Sequence, residues 1–199
     1  MWESEFRSKA KTGDLLIFRG HECTAKCQRC LTGAHYDHVA LLLRINDFLQ
    51  VYETTSKDGC MMRSWREFLV NCWNLYYDKM VYRELIIDAQ GEEKEKIQKE
   101  LQANAELFHK ETTRKNYTLN CCNIICTKKK AYEENNEWGK SDGFFCSQLV
   151  AAAYLRCGIL TYDKGTGFYL PGSFSQSHKN MILQKPYSLG PEVILEFTQ

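Results

Sequence analysis

Tyr36-Asp37-His38-Val39-Ala40-Leu41-Leu42-Leu43-Arg44-Ile45-Asn46-Asp47-Phe48-Leu49-Gln50-Val51-Tyr52-Glu53-Thr54 reads as two strands joined by a two-residue turn. Asn46 and Asp47 are turn-forming residue types, and the runs on either side are apolar and β-branched enough to pair as a hairpin. If these two residues are the whole turn, Ile45 pairs with Phe48 and Ala40 opposes Glu53. His38 and Glu53 then lie on one sheet face as diagonal neighbours, about 7–8 Å apart between backbones, a gap that long side chains close. A carboxylate so placed can fix the tautomer of an imidazole and stabilise its protonated form. The inference depends on register, because a slip of one residue sends the two side chains to opposite faces. The plain alternative is an edge-strand histidine beside an exposed glutamate.

Working outward, Gly13-Asp14 leads into Leu15-Leu16-Ile17-Phe18, a buried-strand pattern, after a short amphipathic helix over Trp2 to Lys11. A polar, cysteine-containing insert from Arg19 to Gly33 separates that strand from the hairpin. Beyond the hairpin, Cys60-Met61-Met62-Arg63 forms a further strand, and Ser64-Trp65-Arg66-Glu67 matches a capping box that opens a helix through Phe68-Leu69. Met80 to Ile86 reads as one strand. Ile97, Leu101, Ala105 and Phe108 recur at helical spacing inside the charged run from Glu92 to Lys110, which makes an apolar stripe on a solvated helix. Phe144 to Arg156 is another helix, ended by Gly158, and Val193-Ile194-Leu195-Glu196-Phe197 closes the sheet. No repeat or linker divides the chain, so residues 1–199 read as a single α+β domain.

Composition narrows the function classes. The 199 residues are 44% hydrophobic and 26% charged with a formal net charge of +1. That balance supports a sizeable core and provides no global field for nucleic acid or anionic lipid. No apolar run approaches the roughly 20 residues that span a bilayer, so stable membrane insertion is not expected. Met1 to Arg7 lacks the features of a secretion signal, and ten cysteines in a chain of this length fit reduced thiols in a cytoplasmic protein.

Gly143-Phe144-Phe145-Cys146-Ser147-Gln148-Leu149-Val150 places a cysteine where a loop enters an apolar helix. Free N–H groups and the positive end of the helix dipole stabilise a thiolate there, and the same N–H groups can stabilise an oxyanion. The alternative is an inert buried cysteine in a core helix. Taken together, Gly13-Asp14-Leu15-Leu16-Ile17-Phe18-Arg19-Gly20, Asp37-His38-Val39-Ala40-Leu41, Tyr52-Glu53 and Phe145-Cys146-Ser147-Gln148-Leu149-Val150-Ala151-Ala152-Ala153-Tyr154 resemble the circularly permuted NlpC-type papain-like superfamily. The similarity is greatest to its YiiX-like branch, which includes poxviral members. It runs from about Lys11 to Phe174 and takes in Tyr117 and Leu170-Pro171-Gly172-Ser173-Phe174.

The resemblance implies a permuted papain-like fold, with a central antiparallel sheet packed against helices. It also implies Cys146 as nucleophile, His38 as base, Glu53 as orienting acid and Asp14 as a structural residue, with no cofactor. The lecithin-retinol-acyltransferase-like branch shares this order but carries Asn-Cys-Glu-His-Phe around its cysteine, where this chain has Phe145-Cys146-Ser147-Gln148. The expected activity is therefore thiol-dependent hydrolysis of an amide, peptide or isopeptide-like, through a thioacyl intermediate. The substrate is an amide- or ester-containing molecule of unspecified identity. The alternatives are a lipid-directed acyltransferase or phospholipase using the same three residues, and a catalytically silent binding module.

Other patterns are weaker. His21-x-Cys23-x3-Cys27-x2-Cys30 offers four zinc ligands within one segment, whereas structural zinc sites join separated pairs; the competing expectation places Cys23, Cys27 and Cys30 along one face of a short helix, packed inward with no metal. Cys121, Cys122 and Cys126 repeat that helical spacing. Trp138-Gly139-Lys140-Ser141 lacks the earlier glycine of a phosphate-binding loop, since Glu134 stands there. Lys128-Lys129-Lys130 reads as a solvated turn, and Tyr154, Phe168 and Tyr169 read as core.

Overall fold

In a computed structural model, residues 1–118, 143–162, 164–178 and 181–197 are described. The motifs at Cys121–Cys126, Lys128–Lys130 and Trp138–Ser141 lie outside them. The element order is α1 (Glu3–Lys9), β1 (Leu15–Gly20), α2 (Cys23–Thr32), β2 (His38–Ile45), β3 (Phe48–Thr55), β4 (Gly59–Ser64), α3 (Trp65–Val70), β5 (Tyr77–Arg83), β6 (Leu85–Ile87), α4 (Gly91–Thr112), β7 (Asn116–Tyr117), β8 (Gly143–Phe144), α5 (Cys146–Arg156), β9 (Tyr187–Leu189) and β10 (Val193–Ile194). Six strands form an antiparallel sheet in the order β10-β5-β1-β2-β3-β4. The architecture is mixed α+β with a central antiparallel sheet.

The hairpin has the register expected of a two-residue turn. Ile45 pairs with Phe48 and Leu41 with Tyr52, while Asn46 and Asp47 adopt φ of 49° and 65°, the left-handed pair that matches the twist of the flanking strands. Alternation along the strands then sorts side chains into two cores. Leu15, Ile17, Val39, Leu41 and Tyr52 pack on one face with α5 and the Leu101, Ala105 and Phe108 stripe of α4. Leu16, Phe18, Ala40, Leu42, Leu49 and Val51 pack on the other with Phe6 of α1 and Trp65 and Phe68 of α3. Both faces of the sheet are covered. Phe6 sits edge-on to Trp65 and Tyr82, at centroid separations of 4.8 and 5.4 Å. Ser64 caps α3 by accepting the Glu67 N–H at 3.1 Å.

Three expectations are corrected. The run Met80 to Ile86 is two strands rather than one: β5 belongs to the large sheet, whereas β6 leaves it at Glu84 and pairs with β9. The break is held by Asp14, whose Oδ1 accepts the Leu85 N–H at 2.7 Å, and by Gly190, whose N–H donates to the Glu84 carbonyl at 2.8 Å. The carboxy-terminal strand is shorter than expected, Val193 and Ile194, with Leu195 donating on to the Met80 carbonyl and Glu196 bridging to Trp2. Finally, Cys23, Cys27 and Cys30 do lie on a short helix, but they are exposed free thiols and not inward-packed. The buried side chain of α2 is Arg29 instead. It donates to the Gly20 carbonyl at 2.8 Å and pairs with the Asp37 carboxylate, and that ion pair takes the inward position the thiols were expected to fill.

Candidate functional site

His38 opens β2 and Glu53 lies near the end of β3, both on the face that carries Ala40, Leu42 and Val51. His38 Nε2 lies 2.7 Å from Glu53 Oε2. Glu53 is only 3% exposed, so its carboxylate exchanges almost all of its water for this contact and for Arg63, whose Nε lies 3.8 Å from Oε1. Phe18, paired with His38 across the β1–β2 ladder, stands with its ring 5.2 Å from the imidazole. Tyr77 stacks almost parallel to the imidazole at 6.5 Å, with 7° between the rings.

Cys146 is the first residue of α5 and is 5% exposed. The body of α5 packs on the opposite sheet face from Glu53, and its first turn meets His38 at the end of β2. There Cys146 Sγ lies 4.0 Å from the carbonyl oxygen of Asp37, the residue preceding His38. Glu53 occupies Nε2, which leaves Nδ1 as the remaining imidazole nitrogen. No side chain caps α5 at Phe145, and the first N–H groups of a helix have no intrahelical acceptor. Gly143 sets the approach to this helix: a Cβ there would fall 2.1 Å from the Asn116 carbonyl oxygen, so only glycine lets β8 lie this close to β7.

Asp37 holds the other end of the His38 peptide. Its carboxylate accepts the Gly20 N–H at 3.0 and 3.1 Å and pairs with Arg29, and its carbonyl accepts from Gln28 Nε2 at 3.1 Å. The insert helix α2 is thereby tied to the residue preceding His38. Ser147, next to the thiol, is fully buried, and its Oγ has no hydrogen-bond partner among the described residues.

Electrostatics around the imidazole oppose one another. Burial alone would lower its pKa, but the negative charge and hydrogen bond of Cys146, followed by those of Glu53, outweigh burial and raise it from 6.5 to about 10. Burial, then the negative fields of Glu53, Asp37 and Cys146, also push Tyr77 far above its ordinary value, so its hydroxyl stays protonated. The linkage has a definite sign. A histidine whose pKa is raised on folding stabilises the fold fully below about pH 6.5 and loses that contribution as pH rises through about 10. Urea midpoints measured from pH 6 to 10 are therefore expected to fall more steeply for the wild-type protein than for His38→Gln. Parallel curves would show that His38 carries no raised pKa.

The structure brings His38 and Glu53 together at 2.7 Å, puts Cys146 at the first position of α5 and buries Asp14 just before β1. The sequence pattern missed Arg63, Tyr77, Phe18 and Asp37. Phe18 reads as an ordinary strand residue and Tyr77 falls in no element read from the sequence, while Arg63 meets Glu53 only through the β3–β4 register, which pairs Glu53 with Met61 two positions away. Among the described residues, no three His, Cys, Asp or Glu side chains cluster as a metal-binding set, and no helix is long and apolar enough to cross a membrane.

No protein-family model and no curated protein matches the chain. Among solved structures, the chain is similar to the crystal structure of metalloprotein YiiX from Escherichia coli O157:H7, a DUF1105 protein. The TM-score is 0.48 at 16% identity, covering 75% of this chain and 67% of that one.

Proposed function

We infer that the protein is a permuted papain-like cysteine hydrolase acting on an amide bond, with Cys146 as nucleophile, His38 as base and Glu53 as the group that orients His38. The observation that carries this reading is His38 Nε2 on Glu53 Oε2 at 2.7 Å, with Cys146 at a helix start and its Sγ 4.0 Å from the carbonyl oxygen of Asp37, the residue before His38. The thiol sits at a helix start, and the hairpin bearing the other two residues precedes it in sequence, an order that supports the permuted arrangement.

In the mechanism, Nδ1 of His38 takes the thiol proton and Sγ attacks the carbonyl carbon. The oxyanion forms beside the N–H groups that open α5. Collapse breaks the C–N bond, the amine leaves with the proton held by His38, and a thioester remains. Water then attacks this thioester, its proton passes to His38, and the C–S bond breaks to release the acid and return the thiol. Throughout, Glu53 holds Nε2–H and stabilises the imidazolium.

The test uses acyl-amide, acyl-ester and phospholipid donors, with intact mass and peptide mapping after an acid quench. The expected result is an acyl adduct on Cys146 from amide donors, absent in Cys146→Ala. Adducts confined to the exposed Cys23, Cys27, Cys30 or Cys72 would sink the reading, and transfer from phospholipid alone would replace amide chemistry with lipid chemistry.

A further inference from the structure

Arg63 lies on β4, two residues beyond the Met61 that pairs with Glu53, so the two side chains are diagonal neighbours on one face. Its guanidinium is held from several sides. Cζ stands 4.0 Å from the centre of the Trp73 ring, Nη2 donates to Asp58 Oδ2, and Nε faces Glu53 Oε1 at 3.8 Å. The side chain is 10% exposed. Its buried Nε–H has no hydrogen-bond partner among the described residues, and the Glu53 carboxylate lies 3.8 Å from it. Glu53 therefore has one oxygen on His38 and the other facing a fixed cation.

We propose that Arg63 is a positioning residue for hydrolysis at Cys146: it draws on Oε1 of Glu53 so that Oε2 stays on His38 Nε2. The role rests on the hydrolase reading. A carboxylate bound through one oxygen can rotate about its last side-chain bond, and a second, differently directed attraction removes that freedom. Trp73 and Asp58 in turn fix the guanidinium, whose planar, always-charged fork suits the task better than a mobile ammonium. The groups facing the imidazole are Glu53, Cys146 and Tyr77; those facing Glu53 are His38 and Arg63.

A positioning role and simple proximity make opposite predictions. If Arg63 is only a nearby positive charge, its removal relieves repulsion and the His38 titration midpoint rises. If it holds Glu53 in place, Arg63→Gln lets the carboxylate drift and the midpoint falls toward that of Glu53→Gln. The experiment follows His38 by NMR titration and Cys146 by its iodoacetamide alkylation rate at pH 7 in the full chain, with melting temperature as the fold control.

Arg63→Gln is expected to lower the midpoint and slow alkylation about tenfold, with Arg63→Lys recovering only part of the rate, because a mobile ammonium restores the charge without the fixed fork. Asp58→Asn, which loosens the guanidinium without removing it, is expected to shift the midpoint the same way by less, and it carries the test if Arg63→Gln does not fold. A midpoint unchanged or raised in these variants, while Glu53→Gln slows alkylation, overturns the positioning role alone. A Glu53→Gln protein that alkylates at the wild-type rate overturns the hydrolase reading beneath it.

Discussion

Cys146→Ala is expected to abolish acyl transfer, and His38→Gln to slow acylation of the thiol by about 10²–10⁴-fold, the usual loss when a general base is removed. The alanine variant has no sulfur to form the thioester, so no slower covalent route remains. The glutamine variant keeps the thiol, the N–H groups at the start of α5 and the rings of Phe18 and Tyr77 that frame the imidazole. It loses the Nδ1 that accepts the proton. Glu53→Gln is expected to fall between wild type and Cys146→Ala, because an amide still reaches Nε2 but supplies no negative charge to the imidazolium. Rates of acyl-adduct formation on the three folded variants decide the matter. Equal losses in Glu53→Gln and Cys146→Ala would give Glu53 a larger role than orientation.

The largest effect on stability is expected at Asp14. Its carboxylate accepts the Lys11 N–H at 2.7 Å, the Leu85 N–H at 2.7 Å and the Tyr82 hydroxyl at 2.6 Å, and it is 1% exposed. Asp14→Ala removes the acceptor of all three donors, and the two buried ones, the Leu85 N–H and the Tyr82 hydroxyl, each cost about 1–3 kcal/mol when orphaned. Part of this loss is offset because the variant no longer buries a charge. Burial, only partly countered by those three hydrogen bonds, pushes the Asp14 carboxyl from 3.8 up to about 6. A net loss of about 3 kcal/mol is expected, which for a chain of this size lowers the melting temperature by about 6–12 °C.

The pH dependence of Asp14 runs opposite to that of an ordinary salt-bridged carboxylate. An acid whose pKa rises on folding stabilises most where it is protonated, and its contribution falls as pH climbs from about 4 through about 6. Asp14→Asn removes that slope while keeping the side-chain shape, so the stability difference between wild type and Asp14→Asn should shrink across this window. A difference that grows with pH would reverse the assigned sign.

The local chemistry of the chain determined the hairpin and, through it, the pairing of His38 with Glu53. Asn46 and Asp47 accept left-handed backbone, so the turn has two residues. A two-residue turn sets the pairing of Ile45 with Phe48, and the two-residue strand period then carries His38 and Glu53 to one face. The helix that carries Cys146 near its start and the α4 stripe of Leu101, Ala105 and Phe108 were legible for the same reason, since helix periodicity is a property of neighbours in sequence. Features beyond local reach were decided by packing between distant segments. Leu85 continues an apolar run begun at Met80, and the buried carboxylate of Asp14, 71 residues away, together with the Gly190 N–H turns it out of the large sheet. Cys23, Cys27 and Cys30 have the spacing of an inward face, but the Asp37 carboxylate recruits Arg29 to that side and leaves the thiols in water. Arg63 meets Glu53 through a strand pairing set by the length of the Thr55–Gly59 turn, and Trp73 and Asp58 reach it from separate segments. Hydrogen bonds and ion pairs of this kind depend on where three-dimensional packing brings two groups together, and residue type and spacing along one strand or helix carry no record of that.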